Sequence, residues 1–171
     1  MRVLGAILVI ASSTIAGWIY SLLLKKRLKI LSNLIQCFQW LETEVGYATF
    51  PLAEAFSRIG GRIQEETKLL FSGFTDELKE LQGLTADEAW QRSLAKCQEH
   101  LSLHHEDWAL LENFGRTLGN TDQQHQLGAI RQTLEKLKQQ EMEAAQNREK
   151  NERLYRYLGI AAGALLVLIF Y

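Results

Sequence analysis

Apolar residues concentrate at the two ends of the chain, and polar residues fill most of the stretch between them. Residues 3–24 form an uncharged run of 22 residues. As a helix this run would be about 33 Å long, enough to cross a hydrocarbon core of about 30 Å. The run therefore predicts a transmembrane helix, which is followed directly by the basic residues Lys25, Lys26, Arg27 and Lys29.

A cleaved signal peptide is the alternative interpretation of this segment. Arg2 would then be its charged start and residues 4–11 its apolar core. Two features favour the anchor. The apolar run is longer than such a core requires, and the basic cluster follows the run, as it does at the cytoplasmic end of a membrane helix.

The chain ends in a second apolar run, residues 157–171. Its 15 residues are fewer than the roughly 20 of a full span, but Arg153 and Arg156 can extend their charged heads back to the headgroups. A buried core helix is the alternative, although no polar stripe interrupts the run. We predict a second transmembrane helix, in which Gly159 and Gly163 form a G-x-x-x-G step for close helix packing.

Basic residues flank both predicted spans on the side that faces the middle of the chain. Four follow the first span, and Arg148, Lys150, Arg153 and Arg156 precede the second. Because positive charge accumulates on the cytoplasmic side, residues 25–153 are predicted to form a cytoplasmic domain, with both termini outside.

The pattern in residues 25–153 predicts six helices, the first and last continuing from the terminal segments. One apolar face of the first helix recurs at steps of three and four, at Leu28, Leu31, Ile35, Phe38, Leu41, Val45 and Ala48. Pro51 is expected to start the second helix, and Gly60 and Gly61 to end it. A third, apolar-striped helix ends near Gly83.

Start signals define the remaining helices. Thr85-Ala-Asp-Glu88 matches a capping box for the fourth, and a break near residues 101–103 precedes the fifth. Gly119-Asn120 is expected to close the fifth, and Thr121-Asp-Gln-Gln124 to cap a sixth of about 50 residues, roughly 75 Å long. The fold class is thus all-α: an antiparallel six-helix bundle whose long first and last helices extend into the transmembrane segments.

Composition adds little chemistry to this architecture. The single Pro suits long helices, and the net charge of -1 gives no general attraction to nucleic acid. Cys37 and Cys97 are too few for a disulfide framework, which leaves two reduced thiols on helix faces.

Motifs for catalysis are missing from the sequence. It contains no G-x-x-x-x-G-K-[ST] loop, no G-x-S-x-G elbow and no H-E-x-x-H pair. His100 and His104 have metal-ligand spacing only on an unbroken helix, and the predicted break separates them. Cys97 near His100 lacks an orienting acid and an oxyanion hole. We expect no enzyme, no cofactor and no metal.

Carboxylates cluster between residues 62 and 88, where seven of them face three basic residues for a local charge of -4. Two interpretations remain open: an ordinary solvated face, or a surface that docks a basic partner, since complementary charge steers association. The acidic residues are Glu65, Glu66, Asp76, Glu77, Glu80, Asp87 and Glu88.

Several motifs resemble those of the stage III sporulation protein AB family of endospore-forming bacteria, and the resemblance spans nearly the whole chain. They are residues 41–47, Pro51–Ala55, Ala89–Leu94, Phe114–Gly119 followed by Asp122 and Gln126, and Tyr157–Gly159. One departure is Phe50, where the family tends to place a Thr directly before the Pro.

The resemblance implies the fold of the cytoplasmic domain of type II secretion F platform proteins, a small six-helix bundle. It also implies a membrane-anchored platform in a secretion-like channel between mother cell and forespore, in the mother-cell membrane around the forespore. The implied partners are a secretion-type hexameric ATPase in the cytoplasm, other membrane subunits of the channel and the lipid bilayer.

Contact candidates for the ATPase lie around the turn after the fifth helix, at Gly115, Arg116, Gly119, Asp122 and Gln126. The two Gly permit close backbone approach, but a role in ending the helix and in tight packing fits them equally well. The acidic residues Glu65, Glu66, Asp76, Glu77 and Glu80 are the second candidate surface. The alternative function is a membrane-tethered helical adaptor or regulator that sequesters a cytosolic signalling protein.

Overall fold

The computed structural model describes the backbone of residues 2–47, 52–63, 66–80, 83, 85–119 and 122–170. Side chains are described from residue 25 to residue 150 within these ranges, and at Leu154. Regular structure in the described residues consists of helices alone: α1 (Arg2–Tyr47), α2 (Leu52–Arg62), α3 (Lys68–Glu80), α4 (Ala86–Cys97), α5 (His105–Gly115) and α6 (Gln123–Phe170). The all-α prediction with a long first and a long last helix is therefore confirmed.

The chain forms two compact units. Residues Lys29–Glu141 make up the first, which we call the bundle unit and which contains α2 to α5. The second, the terminal unit, combines Met1–Leu28 with Met142–Tyr171, which are parts of α1 and α6.

Trp90 occupies the centre of the bundle unit and is fully buried. Its ring meets Phe56 and Phe74 at centroid distances of 5.6 Å and Phe114 at 5.5 Å, each close to edge-on. The indole Nε1 donates a hydrogen bond of 2.8 Å to the Leu111 carbonyl, so the polar atom of this large side chain is satisfied inside the core.

Phe38 brings α1 into the same aromatic cluster. Its ring lies 4.8 Å from that of Phe114 and 6.2 Å from that of Phe71. The cluster thus joins side chains from α1, α2, α3, α4 and α5. Most of the stripe predicted for the first helix is buried around it, including Leu31, Leu41 and Val45.

Helices α1 and α6 run antiparallel within the bundle unit. The Gln123 side-chain amide donates to the Val45 carbonyl at 2.6 Å, and Arg131 Nε donates to Glu42 Oε1 at 2.7 Å. Later residues of α6 therefore meet earlier residues of α1, which is the predicted arrangement for these two helices.

Two helix boundaries agree with the sequence signals, and one does not. The capping box before α4 forms in full, with Glu88 N–H donating to Thr85 Oγ1 and Thr85 N–H donating to the Glu88 carboxylate. Residues 101–104 are non-helical, as expected. The expected stop at Gly60 and Gly61 is wrong, because α2 continues to Arg62. A Cβ on Gly60 would lie 3.2 Å from the Ser72 backbone nitrogen, so this glycine serves the packing of α2 on α3.

The boundaries around the turn between α5 and α6 are shifted from the prediction. Helix α5 ends at Gly115, before Gly119, and α6 begins at Gln123. The cap of α6 is Asp122, whose carboxylate accepts a hydrogen bond of 3.1 Å from the His125 backbone N–H. Thr121, the expected cap, lies outside the described residues.

No helix is long and apolar enough to cross a membrane in the part of the chain whose side chains are described. The two predicted spans, residues 3–24 and 157–171, lie outside that part, and so does the predicted packing step at Gly159 and Gly163. These spans stay predictions.

We predict that Gly115→Ala destabilises the bundle unit. A Cβ at this position would come within 2.3 Å of Trp90 Cδ1, and Trp90 is enclosed on every side. The free energy of unfolding should fall by about 1–3 kcal/mol, the usual cost of overpacking a core. Urea unfolding of the full chain in detergent, followed by far-UV circular dichroism, measures it.

Gly128→Ala is the matched control, since Gly128 lies in helix α6 with no atom within 4 Å of an added Cβ. Alanine should raise the free energy of unfolding there by about 0.5–1 kcal/mol through better helix propensity. Equal effects of the two substitutions would contradict the packing role of Gly115.

Candidate partner-binding surfaces

The turn after α5 is the first candidate surface, and the structure divides its predicted residues between core and solvent. Gly115 is buried against Trp90. A Cβ added to this glycine would lie 3.1 Å from Gln91 Nε2. Arg116, Gly119 and Asp122 are exposed. Gly115 therefore lies on the core side of the turn, and the Arg116 and Asp122 side chains that follow it face solvent.

Local hydrogen bonds fix the backbone of this turn. Leu118 is buried, and its N–H donates to the Gly115 carbonyl at 2.9 Å. Thr117 Oγ1 donates to the Phe114 carbonyl at 2.7 Å. Gly119 has a φ of 90°, which strains any side chain, and an added Cβ would lie 3.1 Å from Ala86 Cβ. The exposed side chains are thus carried on an ordered backbone.

Asp122 combines a structural role with an exposed charge. Its carboxylate makes a short contact with the ring nitrogen Nδ1 of His125 and accepts the His125 backbone N–H. The side-chain hydrogen bond, followed by the backbone one, lowers the pKa of Asp122. An ionised carboxylate at the start of α6 also interacts favourably with the helix dipole. Gln126, the last predicted residue here, is half-buried one turn further on.

Tyr47 is a surface feature that the sequence reasoning did not select. It is the last residue of α1 and is 92% exposed. The end of α1 adjoins the start of α6, because Gln123 binds the Val45 carbonyl and an added Cβ on Gly46 would contact Leu127 at 3.7 Å. A signal was available: Tyr47 falls off the buried stripe that passes through Leu41 and Val45.

The acidic candidates do not form one continuous exposed group. Glu77 is only 5% exposed and pairs across α3 and α4 with Lys96 Nζ at 2.5 Å and with Arg92 at 4.0 Å. The hydrogen bond that Lys96 Nζ donates to Glu77 is the main reason that the pKa of Lys96 is raised. Glu77 is therefore a helix-to-helix contact and does not belong to a docking surface.

Other carboxylates of this region are also used locally. The capping hydrogen bonds with Thr85, the backbone one first, lower the pKa of Glu88, and half-buried Asp87 accepts from Gln91 Nε2 at 3.2 Å. Glu66, Asp76 and Glu80 are exposed. Glu65 lies outside the described residues.

A metal site and a reactive cysteine are the two candidate chemistries that involve His, Cys, Asp and Glu side chains. The described residues contain no group of three or more His, Cys, Asp or Glu side chains placed to hold a metal ion. Burial raises the pKa of the Cys37 thiol to about 12 and that of the Cys97 thiol to about 11. Both thiols stay protonated at neutral pH and are poor nucleophiles.

Comparison with known proteins covers both units of the chain. A family model described as stage III sporulation protein AB matches residues 2–171. Stage III sporulation protein AB of Bacillus subtilis (strain 168) is 32% identical over 169 residues, which is 99% of this chain and 98% of that protein. The chain belongs to the stage III sporulation protein AB family.

A solved structure of a family member supports the fold. Stage III sporulation protein AB (SpoIIIAB) aligns with a TM-score of 0.68 at 32% identity, over 73% of this chain and 98% of that chain. The family resemblance read from the sequence motifs is therefore confirmed, and membership assigns the chain to sporulation.

We predict that Glu77→Gln lowers the free energy of unfolding by about 1–2 kcal/mol, because a buried acceptor loses charge-assisted bonds to α4. Asp76→Asn removes the same charge from the neighbouring, exposed position and should change it by less than about 0.5 kcal/mol. Urea unfolding of both variants checks the difference. If Glu77→Gln changes the free energy of unfolding as little as Asp76→Asn does, the stabilising contact between Glu77 and α4 is contradicted.

Proposed function

We propose that the chain is a membrane-anchored platform component of the secretion-like complex used in endospore formation. The observation that carries this proposal is the family match over residues 2–171, which takes in both apolar ends together with the bundle. The proposed role is one of assembly: it needs a rigid body, an anchor and a docking surface, and no bond-making chemistry.

The anchoring part of the proposal rests on the two apolar runs, residues 3–24 and 157–171. Exposed Lys25 and Lys26 follow the first directly. By the positive-inside rule, the bundle unit would then lie in the cytoplasm. The family resemblance implies that the membrane is the mother-cell membrane around the forespore and that other membrane subunits of the channel lie beside the chain.

The docking part of the proposal concerns a cytoplasmic secretion-type hexameric ATPase. We assign its contact to the tip surface, which we define as Tyr47, Arg116, Asp122 and His125. All four are exposed. Tyr and Arg are the side chains most often found to dominate binding energy at interfaces.

Backbone order supports this choice of surface. The turn between α5 and α6 is held by buried Leu118 and by the bond from Thr117 to Phe114, and Gln123 fastens α6 to the end of α1. Binding to side chains on an ordered backbone costs less conformational entropy than binding that must first order a loop. The exposed carboxylates Glu66, Asp76 and Glu80 form the second candidate surface, for a basic partner region.

We predict that the full chain remains in membranes after alkaline carbonate extraction, because two apolar helices hold it. Protease added outside intact cells should leave the bundle unit undigested, because that unit would face the cytoplasm. Fractionation and immunoblotting measure both. Release of the chain by carbonate, or digestion of the bundle from outside, would contradict the anchoring.

We predict that Tyr47→Ala weakens binding of the purified secretion-type ATPase to the detergent-solubilised full chain by at least about tenfold, as expected for an interface anchor. Arg116→Ala should act in the same direction. Biolayer interferometry gives the dissociation constants.

Leu69→Ala is the matched control, since Leu69 is a large apolar residue on α3 that is 49% exposed. Its removal should leave binding unchanged. If charge reversal at Asp76 and Glu80 abolishes binding while Tyr47→Ala does not, the acidic residues form the contact. If the ATPase does not bind the unmodified chain, the result contradicts the platform proposal and favours the alternative function as a membrane-tethered adaptor.

A further inference from the structure

Charge in this protein is divided between its two units. The bundle unit carries 11 Lys and Arg against 17 Asp and Glu, a net of -6, whereas the terminal unit carries eight Lys and Arg against three Glu, a net of +5. The overall charge of -1 conceals this separation. Neighbouring charges act over about a Debye length, so each unit presents its own sign to its surroundings.

Four cations of the terminal unit have described side chains that are exposed or half-buried. Lys25, Lys26 and Lys150 are exposed, and Arg148 is half-buried. We call these four residues the basic collar. Glu143 and Glu149 are the exposed carboxylates in the described part of the same unit, so the collar keeps an excess of positive charge.

The collar lies next to the apolar runs in sequence. Lys25 and Lys26 follow residue 24 directly, and Lys150 precedes residue 157 by seven residues, which is about 10 Å of helical rise. Flexible Lys and Arg side chains shorten that distance further. A negatively charged membrane surface would therefore lie within about one Debye length of every collar residue.

From this arrangement we infer that the basic collar binds the phosphate groups of anionic phospholipids in the cytoplasmic leaflet. The inference rests on the proposed membrane anchoring and adds a lipid preference to it. The acidic bundle unit is repelled by the same surface.

Lipid retention by the full chain tests the inference. The detergent-solubilised chain is immobilised, equilibrated with equal amounts of phosphatidylglycerol and phosphatidylcholine, and washed, and the retained lipids are quantified by mass spectrometry. We expect phosphatidylglycerol to exceed phosphatidylcholine by roughly 25-fold at low salt, since the described collar and its two carboxylates carry a net charge of +2 and each basic charge near an anionic surface contributes about fivefold. The preference should disappear at about 1 M salt, where the Debye length is about 3 Å.

The double variant Lys25→Gln/Lys26→Gln should reduce the phosphatidylglycerol preference by roughly 25-fold, which leaves little or no preference. The matched control is Lys136→Gln/Lys138→Gln, which removes two exposed lysines of the bundle unit that precede residue 157 by 21 and 19 residues of α6. That separation is about 30 Å of helical rise, beyond the range of screened charge. The control should retain the preference of the unmodified chain.

Three outcomes would overturn the inference. Equal retention of both lipids, with the chain still resistant to carbonate extraction, would refute the lipid preference and leave the anchoring intact. Equal loss of preference in the variant and its control would show a diffuse effect of net charge without a collar. A chain that retains neither lipid and is released by carbonate would refute the anchoring as well.

Discussion

Burial of the Trp90 side chain is the constraint on which the bundle unit depends. The indole needs apolar contact on its whole surface and one acceptor for its N–H, and it obtains these from Phe56, Phe74, Phe114 and the Leu111 carbonyl. Space for it exists because residue 115 has no side chain. A single tryptophan thereby couples the position of α5 to those of α2, α3 and α4.

That coupling reaches the candidate docking surface. The turn that carries Arg116 and Asp122 starts at Gly115, directly where α5 packs on Trp90. It ends where Gln123 binds the last turn of α1. The tip surface is thus held at one end by a core contact and at the other by a hydrogen bond between α6 and α1. Such an ordered surface would suit the proposed platform. Family membership supplies the sporulation context in which such a body would act.

Charged residues divide between structural and exposed roles in a way that composition does not reveal. Glu77 links α3 to α4, Glu88 caps α4, and Asp122 caps α6. Each was counted with a surface when only the sequence was considered. Once these are set aside, the bundle unit still has an excess of carboxylates and the terminal unit an excess of cations. This separation of charge follows from the way the fold groups the chain into units. The terminal unit combines segments from both ends of the chain, and both segments are rich in Lys and Arg.

The sequence by itself determined the helices, because periodicity, the Thr85 capping box and the lack of Pro act through contacts within a few residues. It also determined the family through its motifs. Only the tertiary structure decided that Gly60 packs rather than terminates, that Gly115 makes room for Trp90 and that Glu77 is buried. Each of these depends on contacts with residues 12 or more positions away. A local sequence pattern does not specify which distant side chains will pack against a given residue.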